Sequence, residues 1–304
     1  MRWFLPVLPP LFALTLAPLM LGLINRTKAF IAGRRGPPLL QPYRDIGKCL
    51  RRGAVYGDVT TWVFRAGPVV TLAALIAAVP MIPLGGLASP LSISGDLVVL
   101  AGLFALGRFA TVLAALDTGS SFEGMGASRE LHFAALAEPA FLLAMAVLAR
   151  VTGTFTLTAI YDAITPAAWL AALPTLVLVA LTLLVLALVE NSRIPIDDPT
   201  THLELTMIHE VMVLDHSGPD LGFIQYAAAL KLWLLGALLV GIVVPLRSGN
   251  TFLDGATMLL GMAAFALTVG MIESAMARYR LIQVPQFIIG AATLSAVAFI
   301  LILV

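Results

Sequence analysis

The sequence predicts an all-α, polytopic integral membrane protein of about eight transmembrane helices with structured loops on one side. Three observations predict it. Of the 304 residues, 60% are hydrophobic and only 12% are Asp, Glu, Lys or Arg, where soluble domains carry roughly 25% charged residues. Apolar stretches of about 20 residues, each able to cross a hydrocarbon core of roughly 30 Å, recur along the whole length. These runs are continuous rather than alternating, which argues against a β-barrel, and open sheets would leave backbone groups unsatisfied in lipid.

The expected spans, within a single transmembrane domain covering 1–304, are approximately 3–24, 68–88, 95–116, 132–150, 168–189, 224–246, 254–273 and 285–303. The first is interrupted by Pro6, Pro9, Pro10 and Pro18 and preceded only by Arg2. A basic segment follows it and no Ala-x-Ala site stands out, so it reads as a retained span rather than a cleaved signal. The fourth contains Glu138-Pro139. Proline ordinarily kinks or breaks a helix, but inside a bundle such breaks are tolerated and often line a site. No repeat of 20–50 residues, low-complexity stretch or separate soluble domain is visible.

Orientation follows from the basic residues. Segment 25–67 holds Arg26, Lys28, Arg34, Arg35, Arg44, Lys48, Arg51, Arg52 and Arg65; Arg129, Arg193, Arg278 and Arg280 fall in alternate loops, giving 13 of the 18 basic residues on one side. The positive-inside rule places that side in the cytoplasm and both termini outside, in a cell inner (cytoplasmic) membrane.

What the chain lacks bounds its chemistry. Its one cysteine, Cys49, allows no internal disulfide, and an iron–sulfur cluster ordinarily needs about four thiolates. No Cys/His zinc pattern, Gly-rich nucleotide fingerprint or Walker loop occurs. No catalytic, cofactor-binding or metal-binding residue is therefore expected in this chain. The net charge of +1 gives no reason to invoke nucleic acid.

The charged residues carry the functional signal. The densest cluster is Glu190-Asn191-Ser192-Arg193-Ile194-Pro195-Ile196-Asp197-Asp198-Pro199, directly after an apolar run, with Glu204, His209, Glu210, Asp215 and His216 behind it. Asp198 with Pro199, or Thr201 through Glu204, can start a helix running from about 200 to 214. His202, His209 and His216 recur at seven-residue spacing, which suits proton relay or a partner-facing helix better than metal. Glu138 lies deep in an apolar span, where a carboxylate costs about 2.5–3.5 kcal/mol; it must be protonated, paired or water-bathed. Arg108 lies mid-span, as a structural ion pair or a charge-transfer residue. Lys231 either snorkels to the interface or functions in place. Glu123 and Glu130, bracketing Arg129 in the expected loop 117–131, read as a solvated cluster or as part of a relay. Gly33-Arg34-Arg35-Gly36-Pro37-Pro38 reads as a positive-inside anchor or a rigid docking loop. It leads into a short amphipathic helix, with Arg44 and Asp45 on it and Leu40 and Tyr43 turned inward.

Taken together, the Gly-Pro-rich basic loop, the Glu138-Pro139 span and the Glu-Asn-x-Arg-x-Pro-x-Asp core resemble one family over almost the whole chain. It is the membrane-anchor subunit shared by respiratory complex I, where it is subunit 1 of the mitochondrial enzyme, and energy-converting group 4 NiFe hydrogenases. Leu39 through Asp45, Asp117-Thr118-Gly119 through Arg129, and Asp198 through Glu210 are similar to the hydrogenase branch, of formate hydrogenlyase subunit 4 and hydrogenase-4 component type. Complex I subunits usually open the first cytoplasmic loop with Glu-Arg-Lys; Asn25-Arg26-Thr27 stand there instead, which weakens a quinone site.

The resemblance implies a non-catalytic subunit that anchors a peripheral arm and relays charge or protons to a membrane arm. The matching relay acids are Glu138, Glu190, Asp197, Glu204 and Glu210, with Glu123 and Glu130 less securely; Arg108 and Lys231 join them as intramembrane cations. Docking candidates are Arg34, Arg35, Gly36, Pro37, Arg44, Asp45, Arg193, Asp198, His209, Asp215 and His216. Implied partners are a small Fe–S subunit, a large NiFe subunit and antiporter-like membrane subunits, with the Fe–S clusters and NiFe centre held there. A quinone-reducing complex I subunit is the alternative, and a stand-alone ion transporter a more distant one, since transporters often show inverted repeats.

Overall fold

A computed structural model describes residues 5–193, 208–276 and 283–303. Eleven α-helices are described: α1 (Leu8–Ile31), α2 (Gln41–Leu50), α3 (Trp62–Ala78), α4 (Asp96–Asp117), α5 (Ser121–Thr152), α6 (Leu157–Ala163), α7 (Pro166–Ala171), α8 (Leu173–Glu190), α9 (Gly218–Val243), α10 (Thr251–Ala275) and α11 (Val284–Leu303). Eight of them (α1, α3, α4, α5, α8, α9, α10 and α11) are long and apolar enough to cross a membrane. The protein is an all-α, multi-pass membrane protein, as its composition predicts.

The centre of the bundle is α9, the most buried of the eight spans. It packs against α1, α2, α3, α8 and α10, while α5, α8 and α11 form a second group that meets it through α8. Lipid supplies no hydrophobic force between helices, so they associate through close packing and interhelical hydrogen bonds. Gly67 shows the close packing: a Cβ there would stand 2.6 Å from the Ala114 Cβ, so α3 and α4 approach only because it is glycine. The short helices α6 and α7 are tied to α9 by polar tips. Tyr161 donates to the Leu238 carbonyl at 3.1 Å, and Trp169 Nε1 to the Ile242 carbonyl at 2.6 Å.

Carboxylates fasten helix ends. Asp117, the last residue of α4, accepts from the backbone N–H of Thr61 at 2.7 Å and of Phe64 at 3.1 Å, satisfying donors that open α3. Asp96, fully buried at the start of α4, accepts from the Leu157 N–H at 2.9 and 3.0 Å and anchors α6.

Some boundaries differ from those expected. The helix begun at Ser121 absorbs most of the expected loop 117–131, because one face of its first turns, carrying Glu123, Gly126, Ala127 and Glu130, is buried and packs against the 3₁₀ turn Val211–Val213. Pro139 lies inside α5 without ending it. The second span stops early, at Ala78, where a 3₁₀ turn containing Pro80 follows. Of the helix expected over about 200–214, residues 208–214 form turns and the Val211–Val213 3₁₀ turn, while 200–207 lie outside the described residues.

Candidate functional site: a charge cluster inside the bundle

Arg108 is the hub. It sits midway along α4, and its side chain is only 7% exposed. Its guanidinium meets carboxylates from two other helices. Nη2 donates to both oxygens of Glu190, at the end of α8, at 2.7 Å each. Nη1 donates to Glu138 on α5. Nε lies 3.3 Å from Glu130, also on α5 and eight residues before Glu138, about two helical turns. Lys231 on α9 completes the set, its Nζ 2.7 Å from Glu190. Arginine suits the hub because its planar fork offers five donors in fixed directions, more than an ammonium can present.

His209 extends the cluster. Its Nε2 is 3.2 Å from the second oxygen of Glu130, and its Nδ1 contacts the Ser192 hydroxyl. Two local features hold it there. Ser192 adopts φ +52°, a left-handed conformation rare outside glycine, which turns the chain sharply after α8. Gly126 lets the backbone of Ile208 press onto α5; a Cβ at 126 would stand 2.9 Å from the Ile208 carbonyl oxygen.

A cavity of about 260 Å³ adjoins the cluster. Arg108, Glu138 and Glu190 line its polar part, and Gly102, Phe104, Ala105, Phe141 and Leu142 its apolar part. Its rim includes Val98 and Leu142, 67% and 46% exposed. Glu138 is the hub partner most open to it, with a side chain 47% exposed against 9% for Glu130 and 13% for Glu190.

The remaining candidates separate by depth. Glu130, Glu138, Glu190, Arg108 and Lys231 come together, and Lys231, partly buried, pairs with Glu190 rather than snorkelling. Glu123 is buried near them and accepts from the Asp215 N–H at 3.1 Å. Glu210 is exposed at the turn before Val211–Val213. Asp197, Asp198 and Glu204 lie outside the described residues.

Among the docking candidates, Arg34, Arg35, Gly36, Pro37, Arg44 and Asp215 are exposed, while Asp45 is half-buried and takes a hydrogen bond from Gln41 at 2.8 Å. Three others turn inward, contrary to a surface role. His209 joins the hub. Arg193 pairs with Glu273 at 3.4 Å. His216 is 5% exposed and stacks on Phe64, with ring centroids 3.9 Å apart. Burial without a charged partner lowers the His216 pKa to about 4. Tyr43 turns inward as expected, its hydroxyl donating to the Thr15 carbonyl, but Leu40 is exposed.

Two features gave the sequence reading little to work with. Glu273, which closes the seventh span as a plain interfacial acid or a functional one, has a side chain only 6% exposed and ties Lys28 of α1, at 2.6 Å, to Arg193. Ser192 gave no signal beyond its place in the charged run.

Eight spans enclosing an arginine hub, beneath a face of exposed basic loops, define a polytopic membrane subunit built to hold charge within the bilayer. A family model described as NADH dehydrogenase matches residues 5–304, and the chain belongs to that family, the NADH dehydrogenase subunit 1 family. Formate hydrogenlyase subunit 4 of Escherichia coli (strain K12) is 34% identical over 287 residues, 92% of each chain. Hydrogenase-4 component C of the same organism is 34% identical over 232 residues, 76% of this chain and 72% of that one. A chain of the membrane-bound sulfane sulfur reductase, an archaeal respiratory membrane complex, superposes with a TM-score of 0.82 over 99% of both chains; at 22% identity it shows a shared fold.

Proposed function

We propose that this chain is the membrane-anchor subunit of a complex I-like, membrane-bound NiFe hydrogenase of formate hydrogenlyase or hydrogenase-4 type. It catalyses no redox step itself. It holds a peripheral electron-transfer arm on its basic face and relays charge or protons toward neighbouring membrane subunits. The observation that carries this reading is the Arg108 hub, whose guanidinium meets Glu130, Glu138 and Glu190 inside the spans. Charge at that depth is costly and marks ion or proton pathways. The cavity beside Glu138 gives the hub an opening away from the basic face.

The relatives' names imply a multisubunit complex, and the partners proposed are those the family resemblance implies: a small subunit carrying Fe–S clusters, a large subunit carrying the NiFe centre, and antiporter-like membrane subunits. The basic side faces the cytoplasm of a cell inner membrane, with both termini outside. The docking surface comprises Arg34, Arg35, Gly36, Pro37 and Arg44, all exposed; the same segment, 25–67, also exposes Phe30, Val55 and Trp62, at 84%, 75% and 76%.

The test is to purify the chain in mild detergent and identify what comes with it. A NiFe large subunit is expected, and the double variant R34E/R35E should release it from the membrane. An NADH-oxidising module instead would make this a complex I subunit. A chain isolated alone with transport activity would make it a transporter. A module that stays bound to R34E/R35E would move the dock elsewhere.

A further inference from the structure

The cavity beside the hub is a cleft with a direction. Val98, Gly102, Ala105 and Arg108 line it from one face of α4, at the three- and four-residue spacing of a helical face. Arg108 and Val98 are ten residues apart, so the cleft runs about 15 Å from the hub toward the end of the bundle away from the basic loops. Phe141 of α5 stands on its other wall. Its floor is Leu186 of α8 and Leu235 of α9, 1% and 4% exposed. Gly102 leaves it open: a Cβ there would meet nothing within 4 Å.

In a bilayer such a cleft must be filled, because a void forfeits the contacts of its lining. Water suits only the hub end, where Arg108, Glu138 and Glu190 offer partners; the rest of the lining is apolar and keeps water out. A neighbouring helix does not reach the floor. Helices are about 10 Å across, and α4 and α5 already pack against each other, so a third lies over their rim and leaves Leu186 and Leu235 untouched. A single hydrocarbon chain is thin enough to enter, and the rim residue Val98, 67% exposed, opens the cleft sideways to it. The same end of the cleft lies where headgroups lie, because α4 begins at Asp96, two residues from Val98. Arg150, exposed in the last turn of α5, stands at that end too, twelve residues or about 18 Å beyond Glu138.

We propose that the cleft is a lipid site. It takes one acyl chain of an anionic phospholipid from the leaflet opposite the basic loops, with the phosphate held at Arg150 and the end of the chain lying toward the hub. Hydrocarbon gains little by leaving lipid for an apolar cleft, so the preference for this site comes from close packing and from the arginine. The chain makes the opening beside Glu138 an opening to hydrocarbon and not to water. Charge leaving the hub then passes to a neighbouring helix at the rim and does not leak along the cleft to the far face. The site follows from the shape of the cleft and stands whether or not the hub relays charge.

The test uses the full chain with its bound subunits, reconstituted in vesicles of phosphatidylethanolamine and phosphatidylglycerol. A trace of the phosphatidylglycerol carries a diazirine at the end of one acyl chain, and after illumination the labelled residues are mapped by mass spectrometry. Labelling is expected at Leu186 or Leu235, which lipid on the bundle surface does not reach; Phe109 and Leu260, 55% and 70% exposed, report that surface. Gly102→Phe fills the cleft and should reduce floor labelling to the level of an unilluminated sample while surface labelling persists. Arg150→Gln should lower floor labelling about fivefold, the scale of one arginine's attraction for an anionic lipid. Should Gly102→Phe not accumulate, Gly102→Leu, a good helix former, takes its place. A labelled surface with an unlabelled floor in the wild type would mean that protein closes the cleft, and overturns the proposal. Floor labelling unchanged in either the position 102 variant or Arg150→Gln overturns it as well.

Discussion

Arg108 and Glu190, 82 residues apart, meet with both carboxylate oxygens 2.7 Å from one guanidinium nitrogen. The contact joins the middle of α4 to the end of α8, and Lys231 binds the same carboxylate from α9. Three helices are thus registered against one another by a single acid.

Removing Arg108 should therefore damage the fold as well as the relay. Arg108→Met leaves three carboxylates short of their shared cation; breaking a buried ion pair costs about 3–5 kcal/mol. The melting temperature in detergent should fall by several degrees, with Arg108→Lys in between, because an ammonium cannot meet all three acids. A methionine variant that melts with the wild type would show that the hub contributes nothing to the bundle.

Glu138→Gln keeps the side-chain size and removes the ionisable group. The complex should assemble and retain hydrogenase activity with artificial electron carriers, which bypass the membrane arm. Physiological turnover, or the ion gradient it builds, should drop about a hundredfold or more, the scale of losing one proton-transfer group. Both at wild-type level would make Glu138 a tolerated structural acid.

His216 sets a pH dependence on the basic side. Its pKa is about 4 when packed on Phe64 and 6.5 in the ordinary state. The opened segment thus binds a proton more readily than the packed one. Packing is complete above about 6.5 and weakens as pH falls toward 4, by at most roughly 3 kcal/mol. Hydrogen-exchange protection across 208–217, corrected for the intrinsic amide exchange rate at each pH, should be lower at pH 5 than at pH 7. His216→Phe, which keeps a ring against Phe64 and cannot titrate, should abolish the difference. Equal acid sensitivity in both proteins would assign it to another group.

The proposed orientation is checked by labelling single cysteines on a Cys49→Ser background. Leu91 and Leu50 are 42% and 48% exposed, at opposite ends of the bundle. A membrane-impermeant maleimide added from outside should modify a cysteine at 91 and spare one at 50. The reverse pattern would turn the basic face outward and remove the docking argument.

Glu138 was legible because a carboxylate in an apolar span is costly and must be protonated, paired or water-bathed, whichever helix supplies the partner. Lys231 and Arg108 were legible as intramembrane cations but not as partners of the same acid. His209 read as a docking or proton-relay residue and Glu130 as a loop acid, solvated or part of a relay, but their contact was not legible, because nothing local says that the chain after α8 turns back through Ser192 to press Ile208 onto Gly126. His216 failed for the same reason: its partner, Phe64, opens a helix on the far side of three spans.

The sequence by itself determined the class and the number of spans, because continuous apolar runs of this length cross lipid as helices, and length and hydropathy are local properties. It also determined which groups are too costly to sit in lipid unpaired. Tertiary structure alone decided who pairs with whom: Glu130 with Arg108 and His209, Glu190 with Arg108 and Lys231, Glu273 with Lys28 and Arg193. Those pairings join residues far apart in the chain. They depend on which helix faces come together, a property of the packed bundle that no single segment encodes.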